Sequence, residues 1–211
     1  MNMRNGAGLR EVVAAIGRRM GLWGVIGVAL ALGGCSMLSF GSGSVDTFDL
    51  SAATRVKASH ATGAQILVPE PVALKSLDTE RIVVRPSPAE INYFSGAQWS
   101  DRLPRLVQSR LIETFENSGK ARAGRPGQGL QIDYQVVTAI RAFEYDASQR
   151  KAHVEISAKL MNDHTGKVVA EDVFLAEIDC ANDTAAAVTA ALRTGLDREL
   201  QSIVGWTLKR I

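Results

Sequence analysis

Two cysteines, three histidines and six prolines among 211 residues leave few routes to chemistry. Aromatic residues make up only 6%. The cysteines are Cys35 and Cys180; if either is modified, no intrachain disulfide can form. The histidines are His60, His153 and His164. No two of them have the three or four spacing of a helical metal site, and no cysteine or glutamate completes one. They fall in a polar loop, at a strand start and in a turn, where a surface role is expected. A Gly-x-Ser-x-Gly elbow is missing, and no Ser-x-x-Lys opens a helix. Carboxylate pairs exist (Glu171 with Asp172, Asp197 near Glu199), but the pattern puts them on solvent faces. No apolar run reaches the length of about 20 residues that a spanning helix requires. Sequence repeats and low-complexity segments are also lacking.

What is present begins near the N-terminus. Arg18 and Arg19 precede an apolar run from Met20 to Leu32, and Gly33-Gly34 lead directly into Cys35. A positive region, a short apolar region and a small-residue cut site make a secretory leader. A cysteine at the cut is what a bacterial lipobox requires. Its thiol takes a diacylglycerol, the leader is cut before it, and the freed amine is acylated. Residues 1–34 are thus read as a signal peptide and Cys35 as the lipidation site. That covalent lipid is the one non-protein group expected, with no other cofactor and no metal. Two or more long chains hold a protein on a membrane stably, where one binds only marginally. The body then lies on the periplasmic side, and Ser36 after the cysteine points towards the outer membrane.

The overall charge misleads. The leader holds Arg4, Arg10, Arg18 and Arg19 against Glu11, so its removal turns a net +2 into −1 over 177 residues. No basic patch remains to suggest nucleic acid. Residues 35–46, with Gly41-Ser42-Gly43-Ser44 at their centre, read as a lipidated flexible tether spanning roughly 18 Å. Residues 47–211 then suit one periplasmic domain.

Within it, Thr47-Phe48-Asp49-Leu50, Gln65 to Val68 and Arg81 to Arg85 read as strands, and Ile91 to Phe94 as an edge strand or extended segment. Ser100 is an expected N-cap, with Asp101 at the positive end of the dipole and Pro104 in the first turn. Leu103, Leu106, Val107, Leu111, Thr114 and Phe115 make the stripe of that helix, and Asn117-Ser118-Gly119 stops it. Long alternating stretches run from Leu130, from Val154 and from Val168 to Cys180, with a phase slip near Val137 that suggests a bulge. Cys180 falls on the apolar face, where a thiol acts as a small hydrophobe. A last helix covers about Asp183 to Arg210, with Val188, Leu192, Leu196, Leu200, Ile203, Val204 and Leu208 in its stripe. Gly195 and Gly205 in that helix suggest close packing. Two helices and five or six mainly antiparallel strands predict an α+β two-layer sandwich, both helices covering one side of the sheet.

One segment stands apart: Tyr93-Phe94-Ser95-Gly96-Ala97-Gln98-Trp99, an aromatic crossing into the first helix. Its aromatics either staple helix to sheet as core residues or anchor an interface. Tyr93, Phe94 and Trp99 are the candidate interface residues, for self-association into a homo-oligomer or for contact with a partner.

The stretch from Arg81 to Leu111 resembles the ABC-type transport auxiliary lipoproteins, the group that includes the paraquat-inducible lipoprotein. The matching features are Tyr93, Trp99, Leu103-Pro104, Gln108 and Leu111, then Asn117-Ser118-Gly119, with Thr47-Phe48-Asp49-Leu50 and the strand from Leu130. The resemblance covers most of residues 45–205 and implies a non-enzymatic subunit. Its partners would be an ABC ATPase, a permease and a substrate-binding protein of the mammalian-cell-entry type, which together move lipids between two membranes. Two rival functions stay open on the residues alone. One is a periplasmic lipid-binding carrier, which needs an apolar cavity of a few hundred Å³. The other is an anchored hydrolase, which needs a nucleophile–base pair.

Overall fold

The computed structural model describes residues 44–56 and 61–211. The leader, Cys35, tether residues 36–43 and His60 lie outside them. Along the chain the elements are β1 (Asp46–Phe48), β2 (Gln65–Leu67), β3 (Val72–Ala73), β4 (Arg81–Ser87), β5 (Glu90–Trp99), α1 (Leu103–Ser118), β6 (Arg122–Gly124), β7 (Tyr134–Asp146), β8 (Lys151–Asn162), β9 (Lys167–Asp179) and α2 (Ala185–Leu208).

The three alternating stretches become β7, β8 and β9, an antiparallel meander with one dry face. Val136, Ile140, Phe143, Val154, Ile156 and Leu160 point into the core. On the opposite face Arg141–Glu155, Lys151–Glu177 and Lys159–Glu171 pair across strands. β2, β3 and β4 line up in succession along the free side of β7, each parallel to it. β5 then pairs antiparallel with β4, β1 parallel with β5, and β6 parallel with β2. The result is the expected α+β arrangement, but with nine strands in one mixed sheet. Among the added strands, β3 and β6 are two and three residues long, too short to carry a period.

Both helices bury their stripes in a single core. The α1 stripe is as the spacing predicts, and Gly119 closes the helix in the left-handed region at φ 61°, where glycine has no Cβ to strain. Its start differs from expectation. Arg102, not Ser100, occupies the cap position and offers no side-chain cap bond. Ser100 is drawn off by β1: its N–H donates to Phe48 O at 2.8 Å and its hydroxyl to Asp49 Oδ1 at 3.1 Å. The loop serves the helix instead, with Leu103 N donating to Thr79 O at 3.1 Å. Gln108 is buried and donates from Nε2 to Val68 O at 2.9 Å, tying α1 to the end of β2.

α2 begins after Thr184, whose side chain accepts from Ala187 N. Its whole expected stripe is buried. The bulge in β7 lies between Ile140 and Ala142, not near Val137. Val136 and Val137 keep strict alternation, and beyond the bulge both faces of β7 are covered, which mimics a phase slip in the sequence. Glu199 corrects a second expectation: it is 4% exposed, not a solvated helix charge.

A candidate interface around the β5 crossing

The aromatic crossing forms most of β5. Between the pairs Val83–Tyr93 and Arg81–Gln98, β4 advances two residues while β5 advances five. The excess is taken up in a bulge through Phe94 to Ala97, where Gly96 adopts φ 69°. The bulge separates the three aromatics that the sequence grouped together.

Trp99 goes inward. It is 1% exposed, and its ring meets Phe143 edge to face at 5.8 Å. Its backbone N–H donates to Glu80 O at 2.7 Å. The side chain offers no surface to a partner, so as a candidate interface residue Trp99 is corrected to a core residue. The physical reason is the bulge at Gly96, beyond which Ala97 and Trp99 are both buried.

Tyr93 and Phe94 stay half-buried. The Arg81 guanidinium lies 3.5 Å from the centre of the Tyr93 ring, a cation stacked on an aromatic face. The Tyr93 hydroxyl reaches Ser76 O at 3.5 Å. Around Phe94 is an open hollow of about 330 Å³, lined by Val84, Pro86, Tyr93, Phe94, Tyr145 and Ala147. Sequence reasoning found the two β5 residues but missed Val84, Tyr145 and Ala147. Those arrive through the parallel pairing of β4 with β7, a contact between segments some sixty residues apart that leaves no local signal. At the rim the Tyr145 hydroxyl donates to the Asp183 carboxylate. Burial, then that carboxylate, pushes the phenol up to about 12, so it stays a neutral donor at any physiological pH.

The hollow is built for apolar and aromatic contact. Its one ionisable pair, Tyr145 with Asp183, is locked together and poised for no proton transfer. Other reactive groups lie apart from it. His153 sits on the outer sheet face between Glu155 and Glu177, at 3.7 and 3.8 Å. His164 lies in the β8–β9 turn, 3.3 Å from Asp133. Among the described residues no three His, Cys, Asp or Glu side chains are grouped to hold a metal. Cys180 is buried at the end of β9, and burial pushes its thiol up, away from the reactive thiolate.

No helix among the described residues is long and apolar enough to cross a membrane. A family model described as the ABC-type transport auxiliary lipoprotein component matches residues 48–204. An uncharacterised protein of Bradyrhizobium diazoefficiens is 35% identical over 148 residues, which is 69% of this chain and 40% of that protein. The chain thus spans less than half the length of that relative. The solved structure of protein XCC0632 from Xanthomonas campestris has a TM-score of 0.72 at 30% identity, covering 78% of this chain and 95% of that one. A second solved structure, of an uncharacterised protein, shares the fold with a TM-score of 0.63 at 13% identity, covering 76% and 97%.

Proposed function

The chain belongs to the ABC-type transport auxiliary lipoprotein family, and from that premise we propose that it is the lipid-anchored, non-catalytic subunit of an intermembrane lipid transport system. The observation that carries this reading is the family match from residue 48 to 204, which takes in β2 to β9, α1 and most of α2. The lipobox pattern ending at Cys35 supplies the anchor, and the body lies on the periplasmic side of the outer membrane. Its partner is a substrate-binding protein of the mammalian-cell-entry type, working with an ABC permease and ATPase. The hollow beside Phe94 is the docking point.

The packed interior supports a docking subunit over an acyl-chain carrier. Trp99, Phe115, Phe143, Leu192, Leu196 and Leu200 fill the space between helices and sheet, each no more than 1% exposed. A photo-crosslinking residue in place of Phe94, in the full chain and in cells, tests the docking point. It is expected to capture a transport subunit, while the same residue at Thr165 in the β8–β9 turn captures none. Equal capture at both positions, or none at Phe94, would remove the hollow from the account.

A further inference from the structure

Among the described residues the sheet has one long edge without a neighbour. Its other outer strands, β1 and β6, are three residues long. β9 runs for 13 residues and, among the described residues, pairs only with β8. Long edges are normally blunted by proline, by lysines or by a covering element, because their free N–H and C=O groups template further pairing. β9 holds no proline, and its one lysine stands at its first position. Of the nine exposed large hydrophobic residues among those described, four lie on this strand: Val168, Val169, Val173 and Leu175. The other five are scattered over separate segments, so β9 is where exposed apolar surface collects.

Alternation along the strand decides what this edge offers. Phe174 turns to the helix side, where its ring meets Trp206 edge to face at 5.7 Å. Glu171, Val173, Leu175 and Glu177 therefore share the outer face. Cys180 N donates across to Arg150 O at 2.9 Å, on the β8 side. By the same alternation the N–H groups of Val173, Leu175 and Glu177 point away from β8. That of Val173 is held only by Oδ1 of Asp172, at 2.9 Å, a bond that a main-chain acceptor replaces one for one. Two of the acids are already neutralised across β8, Glu171 by Lys159 at 3.7 Å and Glu177 by Lys151 at 3.1 Å. Lys167 at one end of β9 and Asp179 at the other make no ion pair among the described residues.

We propose that two copies of this chain join through β9, edge to edge and antiparallel, about a two-fold axis at Val173. The charges select that register. With Val173 on the axis, Ala170 lies opposite Ala176, Glu171 opposite Leu175 and Asp172 opposite Phe174, and no two like charges meet. Beyond the irregularity at Val169, Lys167 comes beside Glu177 and Asp179 of the second copy. Moving the axis one or two residues towards the start of β9 sets Asp172 or Glu171 against its own copy. Moving it as far towards the end sets Glu171 against Glu177 or Asp179. Like charges directly opposite destabilise an antiparallel pair, and opposite charges stabilise it. β9 is thus complementary to its own reversed sequence, which commits the edge to a second copy in an isologous contact. Val173 and Leu175 of the two copies become diagonal neighbours and cover one another on the outer face. β4 and β5 lie beyond β8 and β7 from this edge, so the Phe94 hollow of each copy stays open.

The test uses the full chain in mild detergent, with the parent chain as background for disulfide formation. Residues directly opposite lie about 5.5 Å apart at Cα, within the range of about 4.4–6.8 Å that a disulfide spans. Val173→Cys is therefore expected to give a covalent dimer under a mild oxidant. The two copies of Leu175 are four strand positions apart, about 13 Å. Leu175→Cys alone should give no dimer above background, and mixing it with Glu171→Cys should restore one. Sedimentation of the wild type should show twice the chain mass. Leu175→Pro removes an outward N–H, a change that an edge strand tolerates, and should halve that mass while leaving the thermal melt unchanged. A single-copy mass for the wild type at every concentration overturns the proposal. So does no covalent dimer from Val173→Cys, equal crosslinking by Leu175→Cys, or capture of a different protein at Val173→Cys. The cysteine arms do not depend on the proline variant folding. Capture of a transport subunit through Phe94 is a separate readout, so either reading can fail while the other stands.

Discussion

A methyl group placed on Gly195 of α2 would lie 2.9 Å from Cγ2 of Val154 on β8. Helix and sheet approach so closely here that no side chain fits between them. Val154 is fully buried and β-branched, so it has little room to turn aside. Gly195→Ala therefore sets two effects against each other. Helix propensity favours alanine by about 1 kcal/mol, while overpacking costs about 1–3 kcal/mol. The net expectation is a loss of about 1 kcal/mol or more, measured by urea denaturation at constant m-value. A gain in stability would mean that the two elements can part at little cost.

Trp99 and Phe94 should separate cleanly in mutation. Trp99→Ala removes a core ring packed on Phe143 and is expected to lower stability by about 3–5 kcal/mol. Phe94→Ala removes a half-buried ring at an open hollow, for which a loss under about 2 kcal/mol is expected. Thermal melts of the two variants against wild type check both figures. Equal losses would mean that the hollow belongs to the folded core.

Glu199 makes stability depend on pH in an unusual direction. Burial raises its carboxyl from 4.5 to about 7. A folded-state value above the unfolded one means that the folded chain holds this proton more tightly. The stabilising contribution is complete below about pH 4.5 and is lost as pH rises through 7, by up to about 3 kcal/mol. Aspartates elsewhere in the domain work in the opposite direction: Asp49, Asp133 and Asp146 are held low, so their contributions fade in acid. The difference between wild type and Glu199→Gln isolates the glutamate. At pH 8 the glutamine variant should melt higher, and at pH 5 the gap should shrink. A constant gap would show that Glu199 reaches solvent.

Much of this architecture was legible in the sequence, for reasons that individual residues make clear. The stripes from Leu103 to Phe115 and from Val188 to Leu208 repeat over several turns, and the alternation in β8 repeats over a dozen residues, so both periods stand out. β3 and β6 hold two and three residues and exist only because β7 and β2 offer them an edge. Trp99 and Phe94 looked alike in the sequence; the bulge at Gly96 sends one inward and leaves the other at the surface. Glu199 reads as a surface charge, yet it lies on the same side of α2 as Gly195, where the helix presses on the sheet. The hollow's far wall, Tyr145 and Ala147, depends on a parallel pairing that no local pattern encodes.

Lipidation at Cys35 is expected in the native host. Palmitate labelling should mark the mature protein, and mass spectrometry should find an acylated N-terminal cysteine with residues 1–34 removed. Cys35→Ala should abolish the label and leave the leader attached. An unmodified Cys35 on a chain that keeps its leader would remove the anchor, and with it the assignment to the periplasmic face of the outer membrane.

Affinity purification of the tagged full chain from membranes in mild detergent tests the central claim most directly, with copurifying proteins and lipids quantified together. The expected result is recovery of an ABC permease, its ATPase and a mammalian-cell-entry type binding protein in fixed proportion to the chain, without stoichiometric lipid inside the domain. Recovery of the chain alone with one lipid bound per domain would contradict a docking subunit and favour a carrier.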